Sequence, residues 1–249
     1  MSLLKTSGIV IKQVNYGEAD RILTILTKDV GKIQVMARGV RKTKSPLLAS
    51  TQLFCYSNFI FYQGRSFFYI NQAELRESFY NIRLDLEKLT IASYILELMN
   101  TLAQEHQKEE KFFLLLIHTL KHIAYSDDIK LHLIVLTFQI KLMALAGYAP
   151  YLTGCVSCGG AIDQSLKMSG KLGGILCPNC FKQDPYSMGL NQEGRDLLSY
   201  ILYQPMSSLK DVRISEPLLG QLKKIMSTYI TIQLEKSFNT LKFMDIKGI

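Results

Sequence analysis

"DRILTILTKDVGKIQVMARGVRKTKS", Asp20 to Ser45, holds two patterns in one stretch. Asp20–Thr27 and Lys32–Ala37 are short runs rich in β-branched residues, separated by the turn signal Asp29-Val30-Gly31, and they read as two β-strands. In the second run Ile33, Val35 and Ala37 alternate with Lys32, Gln34 and Met36, which predicts one buried face and one wet face. The stretch then changes character. Arg38, Arg41, Lys42 and Lys44 place four cations within seven positions and no acid among them. A run of this kind is either an ordinary solvated loop or a surface that holds phosphates.

Gly8–Val14, Leu53–Tyr62 and Ser66–Leu75 have the same strand composition, bounded by Asn15-Tyr16-Gly17, Ser45-Pro46 and Gln63-Gly64. Five short strands in roughly 75 residues suit a small barrel, for which the OB-fold is the commonest nucleic-acid-binding solution; an SH3-like barrel fits the pattern as well. The formal net charge of +8 favours a polyanionic partner. The excess lies mainly in the N-terminal third: from Val30 to Ala73 there is no acidic residue, yet Lys32, Arg38, Arg41, Lys42, Lys44 and Arg65 fall there. Phe59, Phe61, Tyr62, Phe67, Phe68 and Tyr69 lie in or beside the same strands. Cations that track a phosphate backbone, next to flat side chains that stack on bases, are what single-stranded nucleic acid requires. Strand neighbours point to opposite faces, so about half of these rings belong to the core, and the tyrosines suit the wet side better than the phenylalanines.

Beyond Arg83 the apolar period becomes helical. Ala92, Ile95, Leu96, Met99, Leu102 and Ala103 follow it, as do Phe112, Phe113, Leu116, Ile117, Leu120, Ile123 and Ala124. Leu131–Gly147 is apolar on nearly every side, with Gly147 as a stop, and predicts the central member of a helical bundle. Leu197 to Leu202 predict a short helix, and Ser215 is a cap for a long one with Pro217 in its first turn. The expected organisation is therefore α+β and multidomain: an OB-type barrel at 1–79, a helical domain at 80–150 and 185–249, and an insertion at 151–184. No apolar run approaches the roughly 20 residues of a membrane span, and no secretory leader is visible, so the chain reads as soluble and cytoplasmic with no membrane partner.

The insertion carries the most specific chemistry. In "CVSCGGAIDQSLKMSGKLGGILCPNC" two C-x-x-C pairs, Cys155/Cys158 and Cys177/Cys180, stand eighteen residues apart. Each pair turns tightly enough to aim both sulfurs at one point, and two pairs make the tetrahedral S₄ shell that zinc prefers. Gly159 suits the positive φ of such a turn, and "SGKLGG" (Ser169–Gly174) reads as a hairpin tip joining the pairs. A closed Cys₄ shell leaves no open position for water or substrate, so the expected Zn²⁺ is structural. The fifth cysteine, Cys55, lies in an apolar run and reads as a small buried side chain.

Motifs for catalysis are missing. His118 and His122 have i, i+4 spacing without the glutamate of H-E-x-x-H, and His106 and His132 have no evident partners. There is no phosphate loop and no G-x-S-x-G elbow, and the acid pairs Glu109-Glu110 and Asp127-Asp128 read as solvated turns. An enzyme is not expected.

"YGEADRILTILTKDVGK" (Tyr16–Lys32), "ESFYNIRLDLEKLTIASYILEL" (Glu77–Leu98), "GYAP" (Gly147–Pro150) and the two cysteine pairs resemble, in order and over essentially the whole chain, the bacterial DNA repair proteins of the RecO family. The resemblance implies an OB-fold followed by a helical domain with a zinc segment. It implies a non-enzymatic, nucleoid-associated recombination mediator that binds single- and double-stranded DNA and anneals complementary strands. Such a protein works with RecR, and in many bacteria RecF, to load RecA onto DNA coated by SSB. The family's basic OB face corresponds to Arg38, Arg41, Lys42, Lys44 and Arg65, with Arg21 and Lys32 at its margin. The helical domain is expected to dock the acidic, phenylalanine-ended SSB tail, for which Lys223 and Lys224 beside Leu222 and Ile225 are a physical guess. Two other classes fit the residues: a zinc-stapled adaptor acting through protein contacts, and an OB-fold RNA-binding or RNA-modifying protein.

Overall fold

Strands form where β-branched and aromatic residues concentrate: β1 (Leu3–Tyr16), β2 (Asp20–Thr27), β3 (Gly31–Ala37), β4 (Tyr56–Gln63) and β5 (Phe68–Glu77). In the computed structural model, which describes residues 3–65, 67–126, 130–162 and 165–240, they close into a barrel in the order β1-β2-β3-β5-β4. The β4 strand lies between β5 and β1, the Greek-key exchange of an OB barrel and not a simple meander. Among the barrel strands β3 and β5 are the pair that runs parallel, through Val35↔Phe68 and Met36↔Tyr69. The register turns Val10, Leu23, Ile25, Ile33, Val35, Ala37, Phe59 and Phe61 inward, each at most 1% exposed. Burial of each large side chain contributes about 1.5–3 kcal/mol.

Three strands differ from the sequence reading, β5 by running to Glu77 and not stopping at Leu75. β1 is longer, and a register shift between Val10 and Lys12 lets its first half pair with β4 and its second with β2. β4 starts at Tyr56 because Leu53–Cys55 form a turn, with Phe54 buried at φ 71°.

The face of β3 expected to be wet is open mainly at Gln34. Met36 is 7% exposed and Lys32 is half-buried. At Lys32 the cause is the segment that follows the second helix: Glu105 bridges to Lys32 in parallel, and His106 N–H donates to the Lys32 carbonyl at 3.0 Å. It occupies the part of the β3 edge that β5 leaves unpaired. Gly31 makes this approach possible. Its φ is +72°, and a Cβ there would stand 2.0 Å from the Gln107 carbonyl oxygen. Gly31→Ala is therefore expected to lower stability by about 2 kcal/mol or more, read as a shift of the urea midpoint, from left-handed strain plus backbone displacement.

Close contacts divide the described residues into two units, one running to Tyr125 and including Thr240, the other Ser126–Asn239. The barrel shares the first with α1 (Tyr80–Leu84), α2 (Leu86–Leu102) and α3 (Glu110–Tyr125). Asp85 caps α2 by accepting from the N–H groups of Glu87 and Lys88. The second unit holds α4 (Leu131–Leu145), α5 (Gln192–Tyr203) and α6 (Glu216–Gln233), with a small sheet ordered β7 (Gly174–Leu176), β6 (Leu166–Ser169), β8 (Met188–Leu190). α4 packs against α5 and α6 and is buried at ten positions between Leu133 and Met143, as its apolar circumference requires. Ser215 caps α6, accepting from Leu218 N–H. Asp127 and Asp128 lie outside the described residues. Among the described residues no helix is long and apolar enough to cross a membrane.

Candidate nucleic-acid interface and metal centre

The basic stretch leaves β3 as a chain of tight turns and not a loose loop. Lys42 N–H donates to the Gly39 carbonyl, Ser45 N–H to Lys42, and Leu48 N–H to Ser45, at 3.0–3.2 Å. Three anchors fix it against the β1–β2 turn. Val40 is fully buried in the barrel core, Gly39 N–H donates to Asp20 Oδ1 at 2.7 Å, and Arg41 N–H donates to the Ala19 carbonyl at 2.9 Å. With the backbone held from below, the side chains of Arg38, Arg41, Lys42 and Lys44 are all exposed. Arg41 spends one guanidinium nitrogen on the Gly17 carbonyl at 2.9 Å.

Arg38 reaches the aromatics. Its guanidinium carbon lies 4.6 Å from the centre of the Tyr69 ring, and Tyr69 stacks on Tyr62 with centres 5.1 Å apart and planes 10° from parallel. Tyr62 and Tyr69 face each other across the β4–β5 ladder. Phe59 and Phe61 stack inside the core, so the rings divide as alternation and polarity require. Arg65 is exposed in the β4–β5 connection and lines a 410 Å³ cavity with Gln34, Gln63, Phe67, Phe68, Glu105 and His106.

The two marginal cations are placed differently. Lys32 Nζ donates to the Asn100 carbonyl at 2.7 Å, which ties it to the end of α2. Arg21 shares the parity of the core residues Leu23 and Ile25; its Nε donates to Asn15 Oδ1 at 3.2 Å, and its Nη1 is shielded from solvent. Both are half-buried where the loop cations are exposed.

The four cysteines converge. The sulfurs of Cys155, Cys158, Cys177 and Cys180 all lie within 4.8 Å of one another, and Cys158 Sγ stands 3.8 Å from Cys177 Sγ. Four sulfurs bound tetrahedrally at about 2.3 Å would be about 3.8 Å apart, so the donor set fits a thiophilic ion such as zinc. The first knuckle closes through Gly159 N–H to the Cys155 carbonyl at 2.8 Å, with Gly159 at φ +72°. Burial alone would push the Cys155 thiol up, but the backbone N–H groups of Cys177, Cys158 and Ser157 lower it to about 6, towards the ligating thiolate. β6 and β7 pair up to Ser169↔Gly174, which makes Gly170–Gly173 the hairpin tip. Asp184, 3% exposed, accepts from Ser169 Oγ at 2.7 Å and Tyr186 N–H at 3.0 Å and locks the segment. Among the described residues these cysteines are the group of metal-binding side chains close enough to hold an ion.

Other sequence candidates separate. Leu222 and Ile225 are at most 1% exposed and cannot line an open pocket, and Lys223 Nζ sits 3.2 Å from His132 Nε2. His132 thus has a neighbour that its sequence context did not reveal; burial and Lys223 hold it down at about 4. His106 lies against the Phe68 ring, centres 6.1 Å apart. Cys55 is buried, its thiol pushed up by burial despite Arg83 beside it. Arg83 itself donates to the carbonyls of Ser78 and Leu53 and so pins the end of the β3–β4 connection.

A family model described as Recombination protein O N terminal matches residues 1–79, and one described as Recombination protein O C terminal matches residues 83–242. A DNA repair protein RecO from Acetivibrio thermocellus is 39% identical over 244 residues, covering 98% of this chain and 97% of its own. Its counterpart from Alkaliphilus metalliredigens is 40% identical over 241 residues, covering 96% and 98%. A third, from a Thermoanaerobacter species, is 34% identical and covers 98% of each chain.

Proposed function

Because the chain belongs to the recombination protein O family, we propose that it is a non-enzymatic recombination mediator in DNA repair. It binds single- and double-stranded DNA, anneals complementary strands and, with RecR and in some settings RecF, helps load RecA onto SSB-coated DNA. The observation that carries the reading is the anchored loop of four exposed cations beside the Arg38–Tyr69–Tyr62 stack. In the functional division, residues 1–79 engage DNA, 80–150 and 185–249 engage protein partners, and 151–184 is held by a structural zinc ion on Cys155, Cys158, Cys177 and Cys180.

No bond need be made or broken. Two DNA strands repel through their phosphates, and a surface that neutralises both while leaving base edges free lowers the barrier to pairing. Arg38, Arg41, Lys42, Lys44 and Arg65 supply that charge, with Arg21 and Lys32 contributing field more than contact. For the SSB tail, a 370 Å³ cleft in the second unit fits better than the Lys223–Lys224 region. It is lined by Leu133, Leu209, Val212 and Ile214 together with Lys130 and Arg213, apolar walls for a ring and cations for acidic residues.

Tyr69→Ala is expected to weaken single-stranded DNA binding about five- to tenfold, the lower part of the 1–3 kcal/mol of one stacked base, while leaving its salt dependence unchanged. Fluorescence anisotropy with a labelled oligonucleotide measures both, and Tyr69→Phe should restore affinity. Wild-type affinity in Tyr69→Ala would remove the stack from the interface.

A further inference from the structure

The acid-free run from Val30 to Ala73 is interrupted in space by a carboxylate from elsewhere in the chain. Glu105, carried by the connection between α2 and α3, bridges to Lys32 and is exposed on the barrel face. For a surface that only holds phosphates, an anion there works against binding. A carboxylate has a use on such a face if it meets a base edge, because it is acceptor-only and takes two adjacent N–H donors at once.

The surroundings suit a base. β3 pairs with β5 through only two residues and with the Glu105 segment lower down, and the residues where these two neighbours part line the 410 Å³ cavity. Its volume is in the range of small-molecule sites. Phe67 and Phe68 supply flat apolar surface, Gln63 an amide, and Arg65 a cation for the adjoining phosphate. Gln34 Nε2 donates to Glu105 Oε1 at 3.2 Å and orients the carboxylate. The backbone behind it is fixed, with His106 held at φ 59° and its N–H on the Lys32 carbonyl.

We propose that this cavity takes one splayed-out nucleobase of single-stranded DNA and selects guanine, with Glu105 accepting from guanine N1–H and the N2 amino group. Guanine is the base whose Watson–Crick edge presents two adjacent donors; cytosine and adenine offer one amino group there, and thymine a single N–H between carbonyls. The inference rests on the single-stranded DNA binding proposed above and adds a sequence preference to it.

The test compares wild-type binding of short thymidine oligonucleotides, about nine nucleotides long and within the site size of one OB barrel, with and without one central guanine. The guanine oligonucleotide should bind about tenfold more tightly, the scale of one bidentate pair. Replacing that guanine by inosine, which lacks the N2 amino group, should abolish most of the gain. Glu105→Gln should lose the discrimination while binding plain thymidine oligonucleotides at least as well as wild type, since a negative charge is removed. Equal affinity for the guanine, inosine and thymidine oligonucleotides would overturn the guanine pocket and leave the DNA-binding reading intact. Absence of binding to all three at low salt would overturn both.

Discussion

Alanine at Arg38, Arg41, Lys42 and Lys44 together is expected to weaken single-stranded DNA binding at about 50 mM salt by a hundredfold or more and to slow strand annealing in parallel. Each cation that neutralises a phosphate releases a condensed counterion, and four such contacts account for a loss of that order at low salt. The variant should still fold. The stretch is held by Val40 in the core and by the backbone N–H groups of Gly39 and Arg41, and none of these anchors uses a side chain that the variant replaces. The structural costs are the bond from the Arg41 guanidinium to the Gly17 carbonyl and the contact of the Arg38 guanidinium with the Tyr69 ring, each about 1 kcal/mol or less at an exposed position. Annealing should fall with binding because both strands must be neutralised on the same surface. A variant that binds poorly but anneals at the wild-type rate would place the annealing surface elsewhere.

Replacing Cys177 and Cys180 by serine is expected to release about one zinc ion per chain, measured by elemental mass spectrometry, and to unfold the segment from Tyr151 to about Leu190. Structural zinc supplies on the order of 10 kcal/mol of folding free energy to such small segments, far more than short strands provide. β6, β7 and β8 have only three or four residues each. In the variant only the sulfurs of Cys155 and Cys158 remain of the four that lie within 4.8 Å of one another, too few for the tetrahedral shell. Hydrogen exchange should show lost protection at Leu166–Leu176 and Met188–Leu190, while amides of β1 to β5 remain protected. Unchanged protection and full zinc content in the double variant would refute the cysteine centre.

These effects were unequally legible in the sequence. The barrel was visible because strands with one buried face must alternate, and Ile33, Val35 and Ala37 do so. The four-cysteine cluster was visible because two C-x-x-C pairs have few other uses. The two-tyrosine stack follows from register: Tyr62 and Tyr69 lie opposite each other only after Gln63–Phe68 closes the hairpin, which composition does not reveal. The short α1 has five residues, too few for a helical period to register. The polar run Gln104–Gln107 carries no strand pattern, yet it completes the β3 edge because Gly31 leaves room for its backbone. That docking draws Lys32 towards Asn100. Arg21 shows the same limit. The resemblance sets it at the margin of the basic face, and its parity in β2 with Leu23 and Ile25, which leaves it half-buried, shows only in the register.

The central claim, that this OB face holds single-stranded DNA through the anchored basic loop, is tested most directly by the dependence of the binding constant on salt, compared between wild type and the four-alanine variant. On a log–log plot the wild type should slope at least as steeply as about −3, and the variant should be shallower by about 2.8, the contribution of four single-strand phosphate contacts. Identical slopes for the two proteins, or a wild-type slope near zero, would contradict it.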